Sequence, residues 1–208
     1  MRLVGSRWVI IIFILNLIIV IIIAILMSYY FTIPRKDVID TSVLPESYLI
    51  RTSNRMDIQP HYECAAYSSA YVLRHLGIEA NGNELYKQYP RKLADGTVTP
   101  KGILIFFKRR GYDASFYRGN LQTLKKQVSQ GVPVIAFIRV FPKQRYLHFV
   151  PVIGFDQEYL YLADSLEHTI NCEDSSYNRK IRKRDFEALW NTWAPFCKKS
   201  YIIIRKSV

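Results

Sequence analysis

Apolar residues are distributed very unevenly along this chain. From Trp8 to Phe31 the sequence reads WVIIIFILNLIIVIIIAILMSYYF, without a charged residue. An uncharged run of this length can cross a hydrocarbon core of about 30 Å as a helix. It is also longer than the apolar region of a signal peptide, and no small-x-small cleavage site precedes Ser28. The pattern therefore predicts an uncleaved transmembrane helix over residues 8–31, preceded by a short basic segment over residues 1–7.

The hydrophobic pattern changes after the predicted span. Residues 32–56 contain Pro34, Pro45 and many polar side chains without sustained periodicity, which predicts a linker. Residues 57–208 then regain regular apolar spacing and are numerous enough for one domain. We therefore predict that this last stretch folds as a single unit.

Helix-like and strand-like spacings follow one another within the predicted domain. Apolar spacings of three and four residues, with Gly or Pro near the ends, predict helices over residues 64–76, 83–89, 99–111, 120–130 and 184–190. β-branched and apolar runs predict strands over residues 132–140, 148–155, 158–164 and 201–205. Because most helices come first and most strands follow, we predict an α+β domain with N-terminal helices packed on an antiparallel sheet.

The charge balance of the chain is basic, with a formal net charge of +12 at pH 7. Basic surfaces favour anionic partners such as lipid headgroups and wall polymers. The basic residues are scattered, apart from clusters over residues 108–110 and 179–184 that we interpret as solvated faces near an anionic membrane. Because no nucleic-acid-binding motif accompanies these clusters, nucleic acid is not predicted as a partner.

The charges that flank the apolar run predict an orientation. Arg2 and Arg7 precede the run, whereas Arg35 and Lys36 after it are offset by nearby acidic residues. Basic residues near a span favour the cytoplasmic side of the membrane. The chain is therefore predicted to cross the cell membrane once, with its domain on the extracytoplasmic side.

The chain has three cysteines, Cys64, Cys172 and Cys197. This number is odd and too small for a fold stabilised by a set of disulfides. Cys172 and Cys197 could pair in an oxidising compartment, or both could remain ordinary thiols. The sequence leaves these alternatives open. If the two do pair, Cys64 is the lone thiol.

Cys64 lies at the predicted start of the first helix of the domain. Unpaired N–H groups and the positive end of the helix dipole stabilise a thiolate there, and the thiolate is the nucleophilic form of cysteine. The same N–H groups can face a developing oxyanion. Cys64 is therefore a candidate nucleophile, although cysteines that are simply buried are common.

His148 and Asp164 flank a predicted hairpin. If the hairpin is centred on Asp156, His148 lies directly opposite Asp164 and both side chains project from one face. A carboxylate in that position would orient the imidazole of a general base. A slip of one residue in the register removes this pairing, so the pattern is also compatible with two solvated side chains at strand ends.

Other common site chemistries lack their motifs in this sequence. No group of His and Cys residues has zinc-ligand spacing, and no GxxxxGK(S/T) phosphate-binding loop is present. Neither a metal ion nor an organic cofactor is therefore predicted.

Three stretches of the domain resemble a known family. In chain order they read YECAAYSSAYVLRHLGIEA, HFVPVIGFDQEYLYLADS and KRDFEALWN. This ordered set resembles the double-glycine leader peptidases, papain-like cysteine peptidases best known from bacteriocin-exporting transporters. The resemblance covers residues 57–205 and implies a papain-like fold that hydrolyses peptide bonds. It implies Cys64 as nucleophile, His148 as general base and Asp164 as the residue that orients the base.

The resemblance also implies an oxyanion donor. The family has a glutamine upstream of its cysteine, and Gln59 is the nearby match, one residue closer to Cys64 than in the family pattern. Ala65 follows the cysteine where the family commonly has glycine. A missing donor would imply a slow enzyme or a protein without catalytic activity.

The domain organisation differs from that of the transporters, because this sequence carries no ATPase motif of its own. We therefore expect a stand-alone, membrane-anchored peptidase that processes peptides, proteins or leader sequences at the membrane. Two alternatives remain open at this point. One is a cell-wall peptide hydrolase or acyltransferase, and the other is a non-catalytic module of the same fold that only binds peptides.

Overall fold

The structure is a computed structural model that describes residues 2–38, 43–194 and 196–207, with side chains described from residue 8 onwards. The chain divides into two compact units, Met1–Thr32 and Ile33–Val208. The first unit contains one helix, α1 (Arg2–Tyr30), which includes most of the predicted basic segment. The stretch Trp8–Tyr30 is long and apolar enough to cross a membrane.

The segment predicted as a linker, residues 32–56, contributes to the folded second unit. Its strands β1 (Arg35–Lys36) and β2 (Tyr48–Leu49) join the sheet at two different places. The linker prediction is corrected accordingly, while residues 39–42 of that segment lie outside the described residues. Strands of two residues are too short to show a periodicity, so the sequence indicated irregular chain without showing that it is docked.

Helices of the second unit lie where the sequence predicts them. They are α2 (Cys64–His75), α3 (Gly82–Gln88), α4 (Pro100–Lys108), α5 (Leu121–Ser129) and α6 (Lys183–Trp190). N-cap side chains explain where several of these helices begin. The side chain of Asn81 accepts hydrogen bonds from backbone N–H groups in the first turn of α3. Thr99, which directly precedes Pro100, accepts from a backbone N–H of α4, and Asn120 forms a capping box with Thr123 at the start of α5.

An eight-stranded sheet forms the centre of the second unit. In addition to β1 and β2 it contains β3 (Tyr112–Arg118), β4 (Val134–Arg139), β5 (Leu147–Phe155), β6 (Tyr159–Leu162), β7 (Arg179–Arg182) and β8 (Ser200–Lys206). The strand order is β1-β3-β8-β4-β5-β6-β7, and β2 pairs with β5. β1 and β3 are parallel, and the other neighbouring strands are antiparallel. This architecture confirms the predicted α+β class.

The strands β3 and β7 are not predicted from the sequence. β3 lies between α4 and α5 in the chain, so the sheet draws strands from both halves of the domain. Only Ala114 and Phe116 of β3 are buried, and β7 reads RKIR, so neither strand shows an apolar run. Backbone pairing with a neighbour is what forms these strands, and that pairing leaves no mark in the hydrophobic pattern.

Apolar side chains cover both faces of the sheet. In β4, Ile135 and Phe137 pack into one core cluster, whereas Val134, Ala136 and Ile138 pack into another. Successive side chains of a strand point to opposite faces, so a strand buried on both faces reads as a continuous apolar run. Helices α2, α3 and α4 supply the first cluster, and α5 and α6 supply the second. The sheet is therefore a rigid platform, and the residues at its strand ends are held by a packed core.

Candidate active site

Cys64 is the first residue of α2 and is half-buried. The carbonyl of Glu63 accepts hydrogen bonds from Ala66 and Tyr67, which begins the helix at the cysteine. The carboxylate of Glu63 accepts from the backbone N–H of His61 at 2.8 Å rather than capping the helix. The first N–H groups of a helix have no carbonyl partner within it, so here they can face negative charge at the sulfur or at a bound carbonyl oxygen.

His148 and Asp164 lie against each other in the interior. Nε2 of His148 and Oδ1 of Asp164 are 2.7 Å apart, and each residue is only 1% exposed. His148 lies near the start of β5, and Asp164 follows the end of β6. The structure thus brings together the two residues that the sequence pairs.

The register of the hairpin differs from the predicted one. The predicted turn is centred on Asp156, but Phe155 pairs with Leu160, so the turn is centred farther along the chain. The carboxylate of Asp156 instead begins the turn, because it accepts from two backbone N–H groups within it. A bulge in β5 then shifts the register again. The predicted direct opposition of His148 and Asp164 is therefore wrong, and the two side chains meet beyond the paired end of β6.

The imidazole of His148 also interacts with Cys64. Burial by itself lowers the pKa of His148, but the charge and hydrogen bond of Asp164, together with those of Cys64, raise it to about 9. Because Nε2 is bonded to Asp164, Nδ1 is the ring nitrogen left for the sulfur. At neutral pH the ring is therefore protonated between a carboxylate and a thiol sulfur, which suits a thiolate–imidazolium pair.

Asp164 is surrounded by donors. Its Oδ1 also accepts from the N–H of Leu166 at 3.0 Å, and its Oδ2 accepts from the guanidinium of Arg179 at 2.7 Å. Burial alone raises the pKa of this carboxyl, but His148, Arg179 and the N–H of Leu166 hold the pKa well below its usual range. Asn178 bonds both the backbone N–H and the backbone carbonyl of Asp164. The carboxylate is therefore charged and held in place.

Gln59, the predicted oxyanion donor, is buried. Its Oε1 accepts from the hydroxyl of Ser165 at 2.6 Å, and its Nε2 donates to the carbonyl of His61 at 2.7 Å. Its backbone N–H donates to the carbonyl of Ser165 at 2.9 Å. These bonds fix which end of the amide is nitrogen and direct it toward the loop that precedes Cys64.

Two residues of this region, Asn178 and Arg179, are not identified by the sequence analysis. The stretch 179–184 was interpreted as a solvated basic face, but Arg179 is buried and ion-paired with Asp164. Only the later part of the stretch, including Arg182 and Arg184, is exposed. No local sequence pattern distinguishes Arg179 from the exposed basic residues next to it. Arg179 is buried because it pairs with the carboxylate of Asp164, which lies at the end of a different strand.

The remaining cysteines are ordinary thiols. In the described residues, which include all three cysteines, each sulfur is free, so the pairing that the sequence left open is not formed. Burial raises the pKa of Cys197 to about 11 and also raises the pKa of Cys172. Both thiols are therefore protonated at neutral pH.

The acidic, histidine and cysteine side chains do not form a metal site in the part of the chain that the structure describes. No group of three or more of them there could hold a metal ion. The polar groups around Cys64 instead bond to one another and to the backbone.

Residues 49–197 match the profile of the Peptidase_C39 like family. The match includes Cys64, Gln59, His148 and Asp164, and it extends over more than half of the chain. The chain belongs to the Peptidase_C39-like family. This membership confirms the family resemblance seen in the sequence.

Solved structures with this fold include peptidases. A C39-like peptidase from Bacillus anthracis matches with a TM-score of 0.59 and 18% identity, over 77% of this chain and 98% of its own. A double glycine motif protease from an AMS/PCAT transporter, solved in complex with the leader peptide, has a TM-score of 0.55 and 20% identity, over 80% of this chain and 100% of its own.

Xylellain, a cysteine protease from Xylella fastidiosa, matches with a TM-score of 0.57 and 10% identity, over 86% of this chain and 96% of its own. At these identities the likeness is one of fold. No curated protein sequence matches the chain significantly. Family and fold together confirm a papain-like cysteine peptidase architecture and support a peptidase function.

The raised pKa of His148 predicts a pH dependence of stability. The pKa is about 9 in the folded chain and about 6.5 in an unfolded one, so folding favours the protonated ring. This stabilisation is complete below pH 6.5 and is lost as the pH rises toward 9, at a cost on the order of 1–3 kcal/mol. We expect urea unfolding of the full chain in detergent to show this loss, whereas His148→Gln should lack it. Parallel stability curves for the two chains would contradict the assignment.

Proposed function

We propose that this member of the Peptidase_C39-like family is a membrane-anchored cysteine peptidase that hydrolyses peptide bonds through an acyl-enzyme on Cys64. The observation that carries the proposal is the buried hydrogen bond between His148 and Asp164 next to a cysteine at a helix start. Such a set supplies a nucleophile, a base and a group that orients the base. Membership of the family supports the same class of reaction.

In the first half of the reaction, the thiolate of Cys64 attacks the carbonyl carbon of the scissile peptide bond. The carbonyl electrons move to oxygen, and the resulting oxyanion faces the N–H groups at the start of α2 and Nε2 of Gln59. When the tetrahedral intermediate collapses, the carbon–nitrogen bond breaks. The departing amine takes the proton from Nδ1 of His148, which leaves a thioester on the cysteine.

In the second half, the neutral imidazole of His148 removes a proton from a water molecule. The water oxygen attacks the thioester, and the sulfur leaves as a thiolate when the carboxylic acid product forms. Asp164 remains ionised throughout and steadies the imidazolium in each half. Every proton and electron pair is thereby returned, and no step requires a metal or an organic cofactor.

The proposed substrates are peptides or leader sequences. A related structure, the double glycine motif protease, is in complex with a leader peptide, which supports a peptide ligand for this fold. The apolar helix α1 supports an anchor in the membrane. The basic residues Arg2 and Arg7, which precede the apolar stretch of α1, favour an extracytoplasmic position for the peptidase unit. Secreted peptides and anionic wall polymers or lipids are the partners available there.

Replacing Cys64 by alanine is expected to lower peptide cleavage by more than about 10³-fold, because no other group can form the acyl-enzyme. The measurement is kcat/KM of the full chain in detergent on a panel of leader-type peptides. Cys172→Ala is the matched control, since this half-buried thiol is protonated at neutral pH and should keep the wild-type rate.

Three outcomes of that assay would change the proposal. Cleavage by Cys64→Ala at the wild-type rate would remove Cys64 from the chemistry. With purified wall peptides assayed in parallel, cleavage of these alone would favour a wall hydrolase or acyltransferase. Tight binding without turnover by the unaltered chain would favour a module that only captures peptides.

Gln59→Ala is expected to lower kcat by about 10²–10³-fold with little change in KM, because a side-chain donor to the oxyanion acts mainly in the transition state. The matched control is Gln157→Ala, which removes an exposed glutamine at the hairpin turn. A wild-type kcat for a correctly folded Gln59→Ala chain would show that the backbone N–H groups stabilise the oxyanion alone.

A further inference from the structure

We infer that Arg179 is a positioning residue of the active site: its buried guanidinium fixes the carboxylate of Asp164 in the orientation that serves His148. This role rests on the proposed function, because it matters for catalysis only if His148 transfers protons. It assigns a chemical task to a residue that the sequence places in an apparently ordinary basic stretch.

The geometry divides the carboxylate between two cations. Oδ1 of Asp164 accepts from Nε2 of His148 at 2.7 Å, and Oδ2 accepts from Nη1 of Arg179 at 2.7 Å. The side chain of Asp164 is 0% exposed and that of Arg179 is 9% exposed, so water cannot substitute for either partner. With each oxygen bonded to its own cation, the carboxylate cannot rotate away from the imidazole without breaking a buried ion pair.

Asn178, the residue before Arg179, holds the main chain of Asp164 in place. Oδ1 of Asn178 accepts from the N–H of Asp164 at 2.7 Å, and Nδ2 of Asn178 donates to the carbonyl of Asp164 at 2.8 Å. The backbone N–H of Asn178 donates to the carbonyl of Leu162, the last residue of β6. Beyond the last paired residues of β6 and β7, the side-chain amide of Asn178 therefore takes over the bonding of the main chain as far as Asp164.

Arg179 also affects the proton on His148. The groups that raise the pKa of the imidazole are Asp164 and Cys64, and Arg179 bonds the carboxylate of Asp164 from its other side. A positive charge near an imidazolium opposes protonation, so we expect Arg179 to limit how tightly His148 holds its proton. A general acid works best when its proton is neither too loosely nor too tightly held at the working pH.

A purely structural ion pair would behave differently from a positioning residue. Loss of a structural partner lowers the free energy of unfolding but leaves kcat of the folded chain unchanged. Loss of the guanidinium fork of Arg179 should lower both, since it frees one carboxylate oxygen of Asp164. A substitution that keeps the charge but removes the fork therefore separates the two roles, and the titration of His148 reports the effect of the charge.

The experiment is a histidine NMR titration of the full chain in detergent, in a Cys64→Ser background so that the thiol does not contribute. Arg179→Gln should raise the proton affinity of His148 by about tenfold, as expected for removal of one nearby charge at an effective dielectric constant near 20. Arg179→Lys, which keeps the charge, should leave the midpoint unchanged. Arg184→Gln, whose native side chain is 87% exposed, is the matched control and should also leave it unchanged.

A second readout remains informative if Arg179→Gln does not fold. In the chain that retains Cys64, Arg179→Lys keeps the positive charge but replaces the planar guanidinium by a flexible ammonium group. We expect kcat to fall about tenfold with KM nearly unchanged, because the carboxylate of Asp164 is then oriented less firmly. Wild-type kcat for Arg179→Lys, or a folded Arg179→Gln with an unchanged His148 midpoint, would overturn the inference. Because the titration needs no substrate, failure of the proposed function would appear separately, as an unaltered chain that cleaves no peptide.

Discussion

A carboxylate buried among apolar side chains is unstable unless several donors meet it, and Asp164 is such a group. Its partners are the imidazole of His148 at the start of β5, the guanidinium of Arg179 at the start of β7, and the N–H of Leu166. His148 and Arg179 belong to different strands and Leu166 to the loop after β6, so satisfying one charge fixes the relative positions of all three. The geometry proposed for catalysis is therefore also a requirement for folding this end of the sheet.

Ser165, the residue next to Asp164, connects this region to the other half of the site. Its hydroxyl and carbonyl hold Gln59, and the carbonyl of His61 holds the nitrogen of the same amide. The loop that carries these residues leads directly into α2, where Cys64 is the first residue. The dipeptide of Asp164 and Ser165 thus orients the proposed base on one side and the proposed oxyanion donor on the other. Such preorganisation is what places a nucleophile, a base and donors correctly before substrate arrives.

The sequence predicted well those features that depend on local chemistry. The start of α2 at Cys64 and the doubly buried strand β4 follow from spacing and composition alone. The meeting of His148 and Asp164 was also predicted, but through an incorrect register, because the turn is centred farther along the chain than Asp156 and β5 contains a bulge. The position of a turn and a bulge both change how strands pair without altering their apolar pattern, so periodicity could not show them.

Features that depend on distant partners were missed for a related reason. Arg179 resembles its exposed neighbours in sequence, and only the carboxylate of Asp164 makes it a buried residue. The strands β1 and β2 are likewise formed by pairing with strands far along the chain. Charge and backbone pairing over long sequence distances are decided in three dimensions, where a single sequence gives no direct signal.

The central claim is that Cys64 is activated by an imidazolium that Asp164 holds in place. The most direct test is the rate at which iodoacetamide alkylates each cysteine of the full chain at pH 6, read by mass spectrometry of the labelled peptides. The account predicts that Cys64 reacts at least about tenfold faster than Cys172, and that His148→Gln removes this difference. Equal rates at Cys64 and Cys172 in the unaltered chain, or fast labelling of Cys64 that persists in His148→Gln, would contradict it.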